Sequence, residues 1–166
     1  MSQITRRLLL MIAPLAIAAL AAAPSQAQQL SLNEISNYLN SFTTAEGEFT
    51  QINADGTIST GTIYIKRPGR IRFEYNPPEE ALVIAGGGSV AVFDPYSDGG
   101  PERYPLAETP LKIILERNID LSRSGMVTRH VSDGTTTTVT AQDPDHPEYG
   151  NIQLVFTGSP VELRQW

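Results

Sequence analysis

Between Gly61 and Tyr75 the chain alternates with period two on both sides of a Pro-Gly pair: GTIYIKRPGRIRFEY. After the pair, Ile71, Phe73 and Tyr75 share one face and Arg70, Arg72 and Glu74 the other. That is the signature of a half-buried antiparallel strand. Before the pair, Gly61, Ile63 and Ile65 form an apolar face, and the next position on that face is Arg67. An unpartnered guanidinium in a dry core costs several kcal/mol. Arg67 therefore favours an open pocket over a closed core at this place. The link Arg67-Pro68-Gly69-Arg70 fits a type II turn, with Pro pre-set at the second position and Gly supplying positive φ at the third.

The same reading extends along the chain. Strands are expected at Glu48–Ile52, Thr57–Arg67, Arg70–Tyr75, Ala81–Ala85 and Ser89–Asp94, then at Met126–Ser132, Thr135–Ala141, Asn151–Thr157 and Val161–Gln165. Asp55-Gly56, Asp133-Gly134 and Gly158-Ser159 mark turns, and Asn76-Pro77-Pro78 ends a strand because proline cannot donate to a ladder. Pro95 to Pro105 reads as an irregular loop. Two helical segments stand out. Leu32, Ile35, Tyr38, Leu39 and Phe42 make one apolar stripe behind a Ser31/Glu34 capping box. Thr109 as N-cap and Pro110 at N1 open a second helix, with Arg117 and Asn118 at its far end. The whole is an antiparallel meander of eight or nine strands with two short helices.

Residues 1–27 read as a leader rather than as part of this domain. Arg6 and Arg7 precede an apolar run from Leu8 to Ala23, and Ser25-Gln26-Ala27 offers small residues for cleavage. A cleaved secretory signal peptide is expected, and with it a periplasmic location. Thr5-Arg6-Arg7 also resembles a twin-arginine signal. Residues 28–166 then form a single domain, large enough for a core without crosslinks. The chain has 12 basic and 18 acidic residues and no cysteine. Without Arg6 and Arg7 the net charge is −8, which argues against nucleic acid as a partner. The absence of cysteine excludes disulfides and thiol chemistry.

Catalytic patterns are weak. There is no Gly-x-Ser-x-Gly, and His130 and His146 have no partner motif. Asp143, Asp145, His146 and Glu148 cluster, but two prolines break any EF-hand spacing, so a solvated loop is expected. Gly86-Gly87-Gly88 precedes a strand rather than a helix, which makes it a hairpin turn and not a phosphate loop. No enzyme activity, metal or cofactor is expected. The apolar surfaces are more informative. Phe49, Ile63, Ile65, Ile71, Phe73 and Tyr75, and later Ile152, Leu154 and Phe156, make one apolar sheet face. Two short helices are too small to cover it at native density. The residues allow either a small tight core or an apolar pocket under a helical lid.

"FTQ" at Phe49–Gln51, the block Gly61–Pro78, "VFDP" at Val92–Pro95 and "ETPLKIIL" at Glu108–Leu115 follow one another in the chain. This series resembles the outer-membrane lipoprotein carrier family, LolA. The resemblance implies a mainly β fold: a curved antiparallel sheet, an unclosed barrel, with an α lid over an apolar cavity. It implies a periplasmic chaperone that takes acylated lipoproteins from an inner-membrane ABC exporter. The chaperone shields their acyl chains and passes them to an outer-membrane acceptor. In the family the Arg of the Arg-Pro motif bonds lid carbonyls and holds the lid closed; Arg67 matches it, and Ile71 and Phe73 match the positions that follow. The acyl-chain pocket is then expected from Phe49, Ile63, Ile65, Ile71, Phe73, Tyr75, Leu111, Ile114, Leu115, Leu154 and Phe156, in a monomer. The family usually has further strands after the position of Trp166, so a shorter barrel or an incomplete chain is expected. The alternative is a non-enzymatic periplasmic lipid-binding or protein-binding scaffold of the same fold.

Overall fold

The computed structural model describes residues 28–123 and 125–166. The leader expected over residues 1–27 lies outside them. Among the described residues ten antiparallel strands form two sheets that do not close on each other. The first sheet runs β1 (Thr44–Ile52), β2 (Ile58–Lys66), β3 (Arg70–Tyr75), β4 (Leu82–Gly86), β5 (Ser89–Phe93) and β6 (Glu102–Pro105) in that spatial order. The second is ordered β10 (Glu162–Gln165), β9 (Asn151–Thr157), β8 (Thr136–Gln142) and β7 (Val127–Ser132). The mainly β architecture with short helices is the one the alternation implies. The meander breaks between β6 and β7, where helix α2 (Leu111–Leu115) intervenes.

Helix α1 (Leu32–Asn40) starts as the sequence dictates. The Ser31 hydroxyl accepts the Glu34 N–H, and the Glu34 carboxylate accepts the Ser31 N–H at 2.8 Å. The Ser31 hydroxyl also donates to that carboxylate and holds its pKa below the usual range. Ile35 and Leu39 are buried, and Leu32, Tyr38 and Phe42 pack against the same core. That core lies between the sheets and is shared by both helices. Ile71, Ala85 and Val90 come from the first sheet. Val139, Ala141, Leu154 and Phe156 come from the second, and Ile113, Ile114 and Leu115 from α2. Each of the Val, Ile, Leu and Phe side chains contributes roughly 1.5–3 kcal/mol when fully buried.

Several expectations need correction. Strand β1 begins at Thr44, four residues earlier than its apolar pattern begins, because its register with β2 is unbroken for nine residues. Glu102–Pro105 is not loop but strand β6, paired with Ser89–Val92. Its side chains are all exposed, so it carries no alternation to read. Thr109 does not cap α2. Its hydroxyl donates to the Leu106 carbonyl at 2.9 Å and so closes the 3-10 turn Leu106–Glu108, leaving Pro110 at the N-cap without a side-chain bond. The helix ends at Leu115, before Arg117. At the β2–β3 link Gly69 has φ 69°, as a Pro-Gly turn requires, but the peptide bond before Pro68 is cis rather than the trans bond of a type II turn.

Helix α2 is too short to hold itself. Lys112 anchors it by bonding the Asp143 carboxylate at 2.6 Å, and the Gly69 N–H bonds the Leu115 carbonyl at 2.9 Å. The Lys112 ammonium, aided by the Asp145 N–H, holds the Asp143 carboxyl below the usual carboxylate range. A depressed folded-state pKa adds stability that is complete above the unfolded value, about 3.9, and is lost as pH falls through the folded value. Asp143→Asn is therefore expected to lower the urea midpoint at neutral pH and to flatten its fall between pH 5 and 2. An unchanged acid limb would contradict the anchor. Packing gives a second prediction. A Cβ on Gly61 would meet the Glu74 carbonyl oxygen and lie 2.6 Å from the Phe49 ring. Gly61→Ala should cost about 1–3 kcal/mol in urea unfolding, the range for overpacking; a neutral substitution would refute this contact.

Candidate functional site

Alternation puts Ile63, Ile65 and Phe73 on the inner face of the first sheet, yet none of them is fully buried. They face a cleft instead. Its walls come from the inner side of β1–β3 and from β10. Two adjoining lobes, each of about 420 Å³, share Phe49, Thr50 and the segment Arg164–Trp166. Ile63, Ile65 and Leu163 line one lobe, and Phe73 and Ile52 the other. Volumes of roughly 300–1,000 Å³ are typical of small-ligand sites. The floor is aromatic. Phe49 packs edge-on against Phe73 at 5.6 Å and against Tyr75 at 5.0 Å, and Trp166 lies 5.9 Å from Phe73. Phe49 reaches this position because its cross-strand partner is Gly61, which leaves room for the ring. The Tyr75 hydroxyl donates to the Gln51 amide oxygen at 2.7 Å.

Beside the cleft, Arg67 stands one position beyond the end of β2 and is only 6 % exposed. Its guanidinium Nη2 donates to the Leu39 and Phe42 carbonyls at the end of α1, and Nη1 lies 3.5 Å from the Asn40 side-chain oxygen. The group also sits 5.3 Å above the Phe42 ring. The last carbonyls of a helix have no intrahelical partner and carry the negative end of its dipole, so a cation there is doubly favoured. Burial lowers the Arg67 pKa from its ordinary value, but Arg stays protonated in proteins. Among the described residues its Nε has no partner. The latch is extended by Asn40. The Asn40 amide donates to the Ile119 carbonyl at 2.8 Å, and its oxygen accepts the Ile119 N–H at 2.9 Å. Ser36 accepts the Leu121 N–H at 3.1 Å. The helix is thus fastened to β2 at one end and to the segment after α2 along its length.

The structure sorts the candidate residues into two groups. Phe49, Ile63, Ile65 and Phe73 meet in the cleft, with Tyr75 packed behind Phe49. Ile71, Ile114, Leu115, Leu154 and Phe156 are closed in the core, and Leu111 packs against it, because α1 and α2 fill that half of the concavity. Sequence reasoning missed Asn40, Leu163 and Trp166. Leu163 carried a signal, the alternation of its strand; Asn40 carried none, as its partners are backbone groups 79 residues away. His130 Nε2 is 2.7 Å from the Leu30 carbonyl, 100 residues away in the chain, and His146 Nδ1 is 3.0 Å from the nearby Glu148 carboxylate.

Residues 40–166 match the family model described as outer membrane lipoprotein carrier protein LolA. The chain belongs to the LolA family. Among its relatives, an outer-membrane lipoprotein carrier protein of Azotobacter vinelandii is 29 % identical over 162 residues, covering 91 % of this chain and 77 % of the relative. Proteins of the same name from Methylococcus capsulatus and Coxiella burnetii are 31 % identical over 75 residues and 34 % over 73. Those two alignments span 36 % and 35 % of the relatives' lengths. The family model covers the last residue of α1, the strands described above and α2, so the LolA match includes the cleft, Arg67 and Phe42 and begins one residue after Leu39.

The clasp makes a prediction about this LolA-family chain. Asn40→Ala leaves the Ile119 N–H and carbonyl without their partners, and a buried unsatisfied group costs about 1–3 kcal/mol. The expected result is a loss of that size in urea unfolding. A loss indistinguishable from zero would show that water replaces the clasp without cost.

Proposed function

We propose that this protein is a periplasmic carrier of acylated lipoproteins. It receives them from an inner-membrane ABC exporter, shields their acyl chains, and passes them to an outer-membrane acceptor. The observation that carries this reading is an apolar cleft set beside a helix latched by a buried Arg67. In the unloaded protein the latch closes α1 over the core. In the loaded protein α1 moves aside, and Ile71, Leu111, Ile114, Leu115, Leu154 and Phe156 join Phe49, Ile63, Ile65, Phe73 and Tyr75 as the acyl-chain surface.

The physics of transfer supports this arrangement. Each buried methylene contributes about 0.8 kcal/mol, so acyl chains would be held too firmly by an apolar site that nothing opposes. A closed state that competes with cargo lowers the apparent affinity by mass action. The Arg67 bonds stabilise that state and break when cargo opens the lid. They therefore weaken binding and speed release. Leu39 and Phe42 supply carbonyls only while α1 is seated, so the latch responds to the lid and not to the sheet.

The test is titration with a fluorescent diacyl probe. One-to-one binding is expected, and displacement by an acylated peptide should follow. Arg67→Leu should slow probe release by tenfold or more, since it removes hydrogen bonds to a charged group worth about 1.5–3 kcal/mol each. Absence of probe binding would refute the cleft as an acyl site. Unchanged release from the variant would refute the latch.

A further inference from the structure

We propose that the outer face of the first sheet is a docking surface for an anionic lipid bilayer. The face is the one opposite the cleft. Lys66 on β2 stands directly across from Arg70 on β3, and both are exposed. Like charges placed directly opposite destabilise a strand pair, so this pairing works against the sheet's stability. Arg72 follows two residues along the same face. Across β4 and β5 the row of Arg72 runs through Ile84 and Ala91 to Arg103. Four of the chain's twelve basic residues thus project from one side of a protein whose net charge is −6. Arg72 pairs with Glu74. Among the described residues Lys66, Arg70 and Arg103 make no ion pair.

The arrangement fits a bilayer better than a single acidic site. Neighbouring strands lie about 4.8 Å apart, which puts Arg72 and Arg103 about 14 Å apart on one surface. A row of cations spread over one sheet face complements a surface of repeating phosphodiesters. Gly86 and Ser89 continue the Lys66–Arg70 row, so small residues flank the cations on that side. Tyr64, exposed and opposite Arg72, adds an aromatic ring of the kind that settles at headgroup depth. Glu46 on β1, across from Tyr64, and Glu48, across from Thr62, border the patch on the same face, as does Glu74 beside Arg72. The acidic residues elsewhere do not forbid the contact, because charges beyond about 8 Å are largely screened at physiological salt. Each cation near an anionic surface strengthens binding roughly fivefold.

The experiment is flotation with vesicles of phosphatidylglycerol mixed into phosphatidylcholine, and with phosphatidylcholine alone, at low and physiological salt. All variants are compared in the same full chain, so the apolar N-terminal stretch contributes equally to each. Because that stretch carries Arg6 and Arg7, its own share on phosphatidylglycerol is what K66Q/R70Q retains, and the patch is read from the difference between parent and variant. The expected result is association that needs phosphatidylglycerol and weakens with salt. The double variant K66Q/R70Q should bind roughly 25-fold more weakly, from two lost cations. Glu46→Lys should bind at least fivefold more tightly, which a merely misfolded protein would not do. Equal association with both vesicle types, or variants that match the parent, would overturn the proposal. If the patch serves an acidic protein instead, association with either vesicle is insensitive to all three substitutions and the proposal fails.

Discussion

Arg67 donates to the Leu39 and Phe42 carbonyls at the point where α1 ends, and much of the inner architecture depends on that contact. The guanidinium is buried, so without those carbonyls it would be an uncompensated charge, which costs several kcal/mol. The Leu39 carbonyl in turn is an orphan of the helix end, and the Phe42 carbonyl lies just past it. Each satisfies the other, and each requires α1 to sit on the first sheet. Once α1 is seated there, Ile35 and Leu39 enter the core, Asn40 reaches Ile119, and Ser36 reaches Leu121. One polar contact thereby fixes the place of an amphipathic helix.

The same contact divides the inner surface of the sheets in two. Under α1 and α2 the side chains of Ile71, Leu115, Leu154 and Phe156 are closed and dry. Beyond Arg67 the sheet continues without helical cover, and Ile63, Ile65 and Phe73 are left half-buried around a cleft. The boundary is a charged group rather than a wall of packed methylenes. A packed wall resists gradual deformation, whereas a latch of a few hydrogen bonds has two states. That is the physical basis for reading the molecule as a container that opens.

Much of this was legible in the residues. Period-two alternation on both sides of Pro68-Gly69 located β2 and β3 and put Arg67 on the inner face. The capping box at Ser31 and Glu34 located α1. Local chemistry decides those features, and local chemistry is what a sequence displays. Other features depend on partners far along the chain. The Asn40 clasp joins groups 79 residues apart, and β6 exists only because β5 offers it an edge. Thr109 fits the rule for an N-cap, yet its hydroxyl donates to the Leu106 carbonyl instead of accepting an N–H of α2. The apolar positions were read as one sheet face, but Ile152, Leu154 and Phe156 belong to the second sheet, and periodicity cannot say which part of either face helices cover. The division between core and cleft came only with the placement of α1.

The central claim is that cargo and latch exclude each other. Ile119 and Leu121 report on it directly, because their N–H groups are bonded to the Asn40 and Ser36 side chains of α1. Amide hydrogen exchange at these two positions, with and without a saturating diacyl ligand, measures the seating of the lid. The account predicts that both amides lose protection when the ligand is bound, while amides within β8 and β9 keep theirs. Protection at Ile119 and Leu121 that stays the same or rises on binding would contradict it.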